Sequence, residues 1–415
     1  MAVTRAPQPV ATPVVRTRTA LAHPALMLAG ILLVALNMRA CLAAISPMVG
    51  EIQRSLGLSA TASGLITTVP VLFQGVGAPL TPRLTRRFGA ERVVLGAVLV
   101  LGAGVLLRVL PSAAALYAGC VVIGVAIAVL NVSMPALVKR EFPHRAAAMT
   151  GVYSTTMLVG ATLAAGVSVP LEHALGGGWR ASLGAWSLLA LVAALAWLPQ
   201  LLHARRAPAP AVPAAAPRTA HGTAGRGPWR SGAAWQISAF MGISSLLVYS
   251  LVAWMPTVLA DHGMDRGEAG LVFAFSNLVQ VAGAFLVPLV AGRMTRQRAL
   301  AAAMAVLNGA GIAVLLLAPV SGAWAAAAVL GVAQGGSLGL ALAFIVLRTD
   351  SAAGAARLSG MAQAVGYLVA AAGPVGAGAL HQATGGWTVP LALLLVLAGA
   401  AAAAGWGAGR DVTVR

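Results

Sequence analysis

Arg39 is the only charged side chain in an apolar run, residues 25–45, that is long enough to cross a lipid bilayer. An arginine at the centre of a membrane helix costs about 2.5–3.5 kcal/mol on insertion scales, and its guanidinium cannot lose its proton. The planar fork of N–H donors suits a small anion or a nitro group. We therefore predict that Arg39 binds an anionic or electron-rich ligand; a structural arginine that donates to backbone carbonyls is the alternative.

The elements that must position Arg39 are those of a membrane protein. The 415 residues are 59% hydrophobic and only 9% charged, with a mean hydropathy of +0.89, whereas soluble domains carry about 25% charged residues. The formal net charge of +18 arises from small groups of arginines between apolar runs, without a basic stripe of interleaved aromatics, so nucleic-acid binding is not expected. Cys41 and Cys120 lie in apolar runs without metal-ligand spacing, so neither a metal site nor another cofactor is expected.

Twelve apolar segments approach the roughly 20 residues that a membrane helix needs. They are residues 25–49, 60–81, 92–111, 114–138, 146–170, 181–202, 233–259, 268–291, 299–319, 323–347, 358–380 and 387–408. If the N-terminus is cytoplasmic, 22 of the 27 Lys and Arg residues fall on the inner side and four on the outer side, with Arg39 inside the membrane. Because basic residues are retained on the cytoplasmic side, this distribution predicts a multi-pass protein with both termini in the cytoplasm.

A Pro/Ala-rich stretch, residues 203–232, divides the twelve segments into two groups of six. It predicts an extended cytoplasmic linker between six-helix bundles at 25–202 and 233–408, with a disordered cytoplasmic tail at 1–24 and a second tail at 409–415. The two groups share local patterns, since His173 and His381 each stand six residues before a tryptophan. Related halves predict a pseudo-twofold axis along the membrane normal and a ligand site between them near the midplane.

Three local sequences narrow this architecture to a family. They are AsnMetArg at 37–39, the run from Leu65 to Gly89, and ProAlaLeuValLysArgGluPheProHisArg at 135–145. All three resemble the cyanate/nitroimidazole transporter branch (CynX/NimT) of the major facilitator superfamily. The resemblance implies an all-α fold of two pseudo-symmetric six-helix bundles, alternating access, a monomer and a place in the bacterial cytoplasmic membrane.

The resemblance also implies a cytoplasmic gate in the loop after the second helix, which contains Arg83, Arg86, Arg87 and Gly89. The superfamily usually carries an acidic residue three positions before this glycine. Arg86 stands there instead, so other contacts are expected to hold the gate closed.

In the family, the first, fourth, seventh and tenth helices commonly line the central cavity, with the fifth, eighth and eleventh nearby. The resemblance therefore implies substrate contacts from polar side chains on these helices. The expected set beside Arg39 is Asn37, Asn131, Tyr153, Tyr249, Asn277, Gln280, Gln334 and Gln363. Each of them could instead form a hydrogen bond between helices. Arg108, near the outer end of the third segment, is expected to reach the outer interface; attraction of anions at the entrance is the alternative.

All nine acidic residues fall in loops or at helix ends, so a proton relay through a mid-membrane carboxylate is not expected. No nucleophile–base pair or metal-ligand cluster lies at membrane depth, so the chain is not expected to be an enzyme. The expected function is transport of a small-molecule substrate across the lipid bilayer, with a small cyanate-like anion in first place. Export of nitroimidazole-like or other small drug molecules is the alternative, and a non-transporting membrane sensor is a further one.

Overall fold

Apolar runs of about twenty residues fold into helices in lipid because a helix satisfies its backbone hydrogen bonds within the run. The computed structural model describes residues 24–58, 60–206 and 228–414, and twelve helices in these ranges are long and apolar enough to cross a membrane. They are α1 (Pro24–Ala43), α2 (Ala60–Gly77), α3 (Ala90–Arg108), α4 (Ala113–Glu141), α5 (Ala146–Leu175), α6 (Gly178–Arg206), α7 (Gly232–Asp261), α8 (Arg266–Arg293), α9 (Arg298–Leu317), α10 (Ala323–Leu347), α11 (Ala352–Thr384) and α12 (Thr388–Ala408). The predicted twelve-helix fold is confirmed. The predicted tail at 1–24 and most of the linker at 203–232 lie outside the described residues.

The helices form two groups, α1–α6 and α7–α12, that meet along two seams. α2 and α4 pack against α11, and α5 packs against α8 and α10. We call the side on which α1 begins and α12 ends the termini side. There a basic residue ties helix ends within each group: Arg140 contacts Glu91 at 2.6 Å, and Arg348 contacts Gln297 and Asp411. These arginines stand at the ends of α4 and α10, the fourth helices of the two groups. The two contacts therefore occupy corresponding positions in the two halves.

The predicted gate segment after α2 is a short helix rather than a loop. The helix Thr81–Phe88 exposes Arg83, Arg86 and Arg87 on the termini side. It ends at Gly89, whose φ of 83° lies in the left-handed region that favours glycine. Within the described residues no ion pair involves these three arginines, so their role in a gate stays a prediction.

Candidate substrate-binding cavity

A cavity of about 710 Å³ lies between the two groups of helices. Its walls come from α1, α2 and α5, with one residue each from α3 and α4, on one side and from α7, α8, α10 and α11 on the other. The lining residues of α1 run from Arg39 toward Ser46, and those of α2 begin at Ile66. The cavity therefore extends from mid-depth toward the side opposite the termini. Its wall is mostly apolar with a small number of polar groups, as is typical of a small-molecule site.

Arg39 lies in the cavity wall with its side chain half-buried. Its guanidinium lies near the phenols of Tyr249, Tyr367 and Tyr153, with the Tyr249 hydroxyl within hydrogen-bonding reach. The Tyr249 hydroxyl is buried and has no hydrogen-bond partner among the described residues other than this guanidinium. The salt bridges of the described chain all involve other side chains. No carboxylate in this part of the chain therefore neutralises Arg39.

Three amides of the second group line the same cavity, namely Asn277, Gln280 and Gln334. Gln280 of α8 donates to Oε1 of Gln334 on α10 at 3.0 Å. The two helices approach closely because residue 335 is glycine, where an added Cβ would overlap the carbonyl oxygen of Gln280. The close contact holds a polar patch in place across the cavity from α1.

A hydrogen-bond network centred on Asn131 closes the cavity toward the termini side. The Asn131 amide nitrogen donates to Oε1 of Gln74 at 3.2 Å and to the hydroxyl of Tyr367 at 3.1 Å. Its Oδ1 accepts a hydrogen bond from Tyr153 at 3.3 Å, and its backbone carbonyl accepts one from Gln363 at 2.7 Å. Because Tyr367 and Gln363 belong to α11 and the other three to the first group, the network joins the two halves.

Four of the residues expected to contact substrate therefore lie elsewhere. Asn131, Tyr153 and Gln363 are each 1% exposed and are absent from the cavity wall. Asn37 is also buried, and its amide donates to the carbonyl of Leu189 on α6 at 2.8 Å. The sequence could not separate these cases, because a polar residue in an apolar helix looks the same whether it faces a cavity or a neighbouring helix.

Arg108 is a second charged residue of the cavity wall, and the prediction that it reaches the outer interface is wrong. It is the last residue of α3, yet it is 1% exposed and lines the cavity instead of reaching the interface. Its Nη1 donates to the carbonyl oxygen of Cys41 at 2.6 Å. The residue that permits this burial is Gly119 of α4, where an added Cβ would lie 2.5 Å from the Cβ of Arg108. The missing side chain lets the end of α3 pack tightly against α4.

The charge of the cavity wall is positive. Among the described residues the wall contains two arginines and no Asp, Glu or His. In the same ranges no group of three His, Cys, Asp or Glu residues could hold a metal ion. The cavity therefore favours an anionic or electron-rich ligand over a cation.

Twelve membrane helices in two related groups, with a central cavity open to one side and closed by contacts at the other, define a membrane transporter. The chain belongs to the Major Facilitator Superfamily, whose sequence profile matches residues 27–374. It is 38% identical over 391 residues to the 2-nitroimidazole transporter of Escherichia coli (strain K12), covering 94% of this chain and 96% of the relative. The cyanate transport protein CynX of the same organism is 28% identical over 368 residues, covering 87% and 91%. The predicted cyanate/nitroimidazole branch is confirmed.

The fold has a counterpart among solved structures. The proton:xylose symporter XylE bound to 6-bromo-6-deoxy-D-glucose matches with a TM-score of 0.73, covering 94% of this chain and 98% of the symporter. The two sequences are 12% identical, so this similarity concerns the fold alone.

Proposed function

We propose that the protein moves a small planar compound with an anionic or nitro group across the membrane by alternating access, with Arg39 as the anchor. The observation that carries the proposal is a permanent positive charge in the cavity wall that no described carboxylate neutralises. A substrate with an electron-rich end supplies the missing partner, and the guanidinium fork can bind two oxygens at once. The hydroxyl of Tyr249 lies within reach of the Arg39 guanidinium, and its proton can be donated to the substrate as a further hydrogen bond.

The size of the cavity favours a substrate that contains a ring. Small-molecule sites measure about 300–1,000 Å³, and a cavity of about 710 Å³ is far larger than a triatomic anion. Tyr249 and Tyr367 offer aromatic faces to a planar ring, and the Gln280–Gln334 pair offers amides. A 2-nitroimidazole-like compound or a small aromatic carboxylate matches these features. This reverses the order expected from the sequence, and a cyanate-like anion, favoured by the positive charge of Arg39, is the second candidate.

The open side of the cavity is proposed to face away from the cytoplasm. The basic segments that indicate the cytoplasmic side lie on the termini side, so the structure corresponds to an outward-open state. Besides the Asn131 network, a hydrogen bond from Nζ of Lys139 to the carbonyl of Val346 at 3.0 Å joins the halves on the closed side. One chain builds the whole cavity, which supports a monomeric transporter in the bacterial cytoplasmic membrane.

Ligand-induced thermal stabilisation of the purified protein tests the role of Arg39. We expect 2-nitroimidazole or benzoate to raise the melting temperature of the native protein. Arg39→Gln should weaken binding about 10- to 150-fold, because a charge-assisted hydrogen-bonded contact contributes about 1.5–3 kcal/mol. Arg39→Lys keeps the charge but not the planar fork, so it should restore only part of the affinity.

Arg296→Gln is the matched control, because Arg296 is exposed between α8 and α9. It should bind ligand as the native protein does. Unchanged stabilisation in Arg39→Gln would remove Arg39 from the site. Stronger stabilisation by cyanate than by either ring compound would favour the second candidate. Uptake of labelled ligand by proteoliposomes separates a transporter from a sensor, since a sensor would bind without uptake.

A further inference from the structure

The guanidinium of Arg108 has one engaged group and one free edge. Nη1 donates to the carbonyl of Cys41 at 2.6 Å, whereas Nε and Nη2 are buried without a hydrogen-bond partner among the described residues. Nε and Nη2 carry the two parallel N–H groups of the side edge, which binds carboxylate or nitro oxygens as a pair. Buried N–H groups without a partner are uncommon in native proteins, so this edge needs an explanation.

This edge belongs to the same cavity as Arg39. Arg108, Cys41 and Cys120 all line the cavity. Cys41 follows Arg39 by two residues on α1, in the direction of the open side. Because Arg108 is bonded to Cys41, it lies nearer the open side than Arg39 does.

The position of Arg108 is built into the packing of α3 on α4. An added Cβ at Gly119 would lie 2.5 Å from the Cβ and 2.6 Å from the backbone nitrogen of Arg108. The ion pairs of the described chain do not include Arg108, and no described acidic side chain lines the cavity. The charge is therefore held in place without a counter-charge from the described protein.

We infer that Arg108 forms a second, outer binding position for a planar two-oxygen group of the substrate, either a carboxylate or a nitro group. The inference rests on the proposed function and deepens it: Arg108 receives the group on entry, and Arg39 holds it at mid-depth. Arg108 contributes to the cavity wall, and its two unpartnered N–H groups are buried beneath that wall, so a rotation of the side chain into the cavity brings them to the bound group. A linear triatomic anion presents a single terminal atom to this edge, so it bonds the two parallel N–H groups at poorer angles than a pair of oxygens does, and this position favours the two-oxygen group over cyanate.

Calorimetric titration of the purified protein tests the outer position, with benzoate as the carboxylate probe, 2-nitroimidazole as the nitro probe and cyanate as the linear probe. Arg39→Gln should retain one weak site for benzoate or 2-nitroimidazole, and the double variant with Arg108→Gln should lose it. Arg108→Gln alone should keep the Arg39 site but raise the KM for uptake from the open side at least tenfold. Arg108→Lys, which keeps the charge without the paired edge, should restore little of the residual binding.

The outcomes separate the two proposals. If Arg39→Gln shows no residual binding, or if that binding persists in the double variant, the inference is wrong. Binding by the native protein would still support the proposed function. A native protein that binds none of the three probes would refute both. Native-like binding in Arg39→Gln that Arg108→Gln abolishes would support the outer position and remove Arg39 as the anchor.

A second variant displaces Arg108 without changing its charge. Gly119→Ala places a methyl group against the arginine backbone, so in the Arg39→Gln background it should weaken the residual site at least tenfold. Gly96→Ala on α3 is the matched control, since an added Cβ there meets nothing within 4 Å. Residual binding that is equal in the folded Gly119→Ala and Gly96→Ala proteins would contradict the outer position.

Discussion

Replacing Asn131 by alanine should shift the protein away from the state in which the cavity opens opposite the termini. The Asn131 side chain bonds Tyr367 across the seam at 3.1 Å and bonds Gln74 and Tyr153 within the first group. The bonds within the first group are present in both states, so their loss lowers the stability of both states equally and leaves the ratio of the two populations unchanged. Of the bonds made by the Asn131 side chain, only the one to Tyr367 breaks when the seam opens, and such a bond contributes about 0.5–1.5 kcal/mol. The fraction open toward the termini side should therefore rise about 2- to 12-fold.

A cysteine introduced at Ala364 measures this fraction. Ala364 is 5% exposed and packs in the closed seam against Ala78, Ala128 and Val132, so a thiol there reacts only when the seam opens. The native thiols are removed first by Cys41→Ala and Cys120→Ala, which leaves one reporter. The labelling rate by a membrane-impermeant maleimide, added on the termini side, should rise by the same 2- to 12-fold factor.

Asn308→Ala provides the matched control. Asn308 is 2% exposed, and its amide donates to the carbonyl of Met304 at 3.1 Å and to Ser337 at 3.4 Å, all within the second group. Its replacement should lower stability without changing the ratio of the two states. An unchanged labelling rate in Asn131→Ala, or an equal rise in Asn308→Ala, would refute the assignment of the Asn131–Tyr367 bond as a contact of the closed seam.

Two further predictions concern packing and coupling. Gly335→Ala forces a methyl group into the carbonyl of Gln280, so it should destabilise the protein by about 1–3 kcal/mol through overpacking and lower its melting temperature, whereas Gly399→Ala, with nothing within 4 Å of the added Cβ, should leave the melting temperature unchanged. Because the described cavity wall has no Asp, Glu or His, uptake by proteoliposomes should not require an imposed pH gradient. Glu172 lies in the last turn of α5, on the side opposite the termini, and a strict gradient requirement that disappears in Glu172→Gln would contradict a cycle without a carboxylate.

The helices could be predicted from the sequence because membrane insertion depends on the hydropathy of each run and little on its neighbours. The same logic applies to Arg39, since an arginine at the centre of an apolar run has few places other than a protein interior. The environments of Asn131 and Gln280 could not be predicted in this way. Both are polar residues inside apolar helices, but one lies in the closed seam and the other in the cavity wall. The two residues differ in the rotation of their helices about the helix axis and in their depth in the membrane, and the hydropathy of the sequence depends on neither.

Arg108 shows a second limit of the same kind. A basic residue at the end of an apolar run usually reaches the membrane interface, and the sequence around Arg108 gives no reason to expect otherwise. Its burial depends on Gly119 in the next helix, where the absence of a side chain permits the close contact. A glycine of this kind is indistinguishable in sequence from the other helical glycines until the helices are packed.

The polar groups of the protein are divided by depth, and this division bears on how the cavity could open and close. Arg39 and Arg108 carry permanent charge and line the cavity, whereas Asn131, Tyr367 and Gln363 in the seam are neutral and bonded to one another. Neutral hydrogen bonds contribute little net free energy, so they can break and re-form in each cycle, whereas a buried ion pair leaves costly unpaired charges when it separates. An empty cavity would have to close over two unpaired positive charges, which is energetically unfavourable. An anionic substrate would neutralise a charge and lower this energy. The protein loaded with an anion should therefore change state more readily than the empty one.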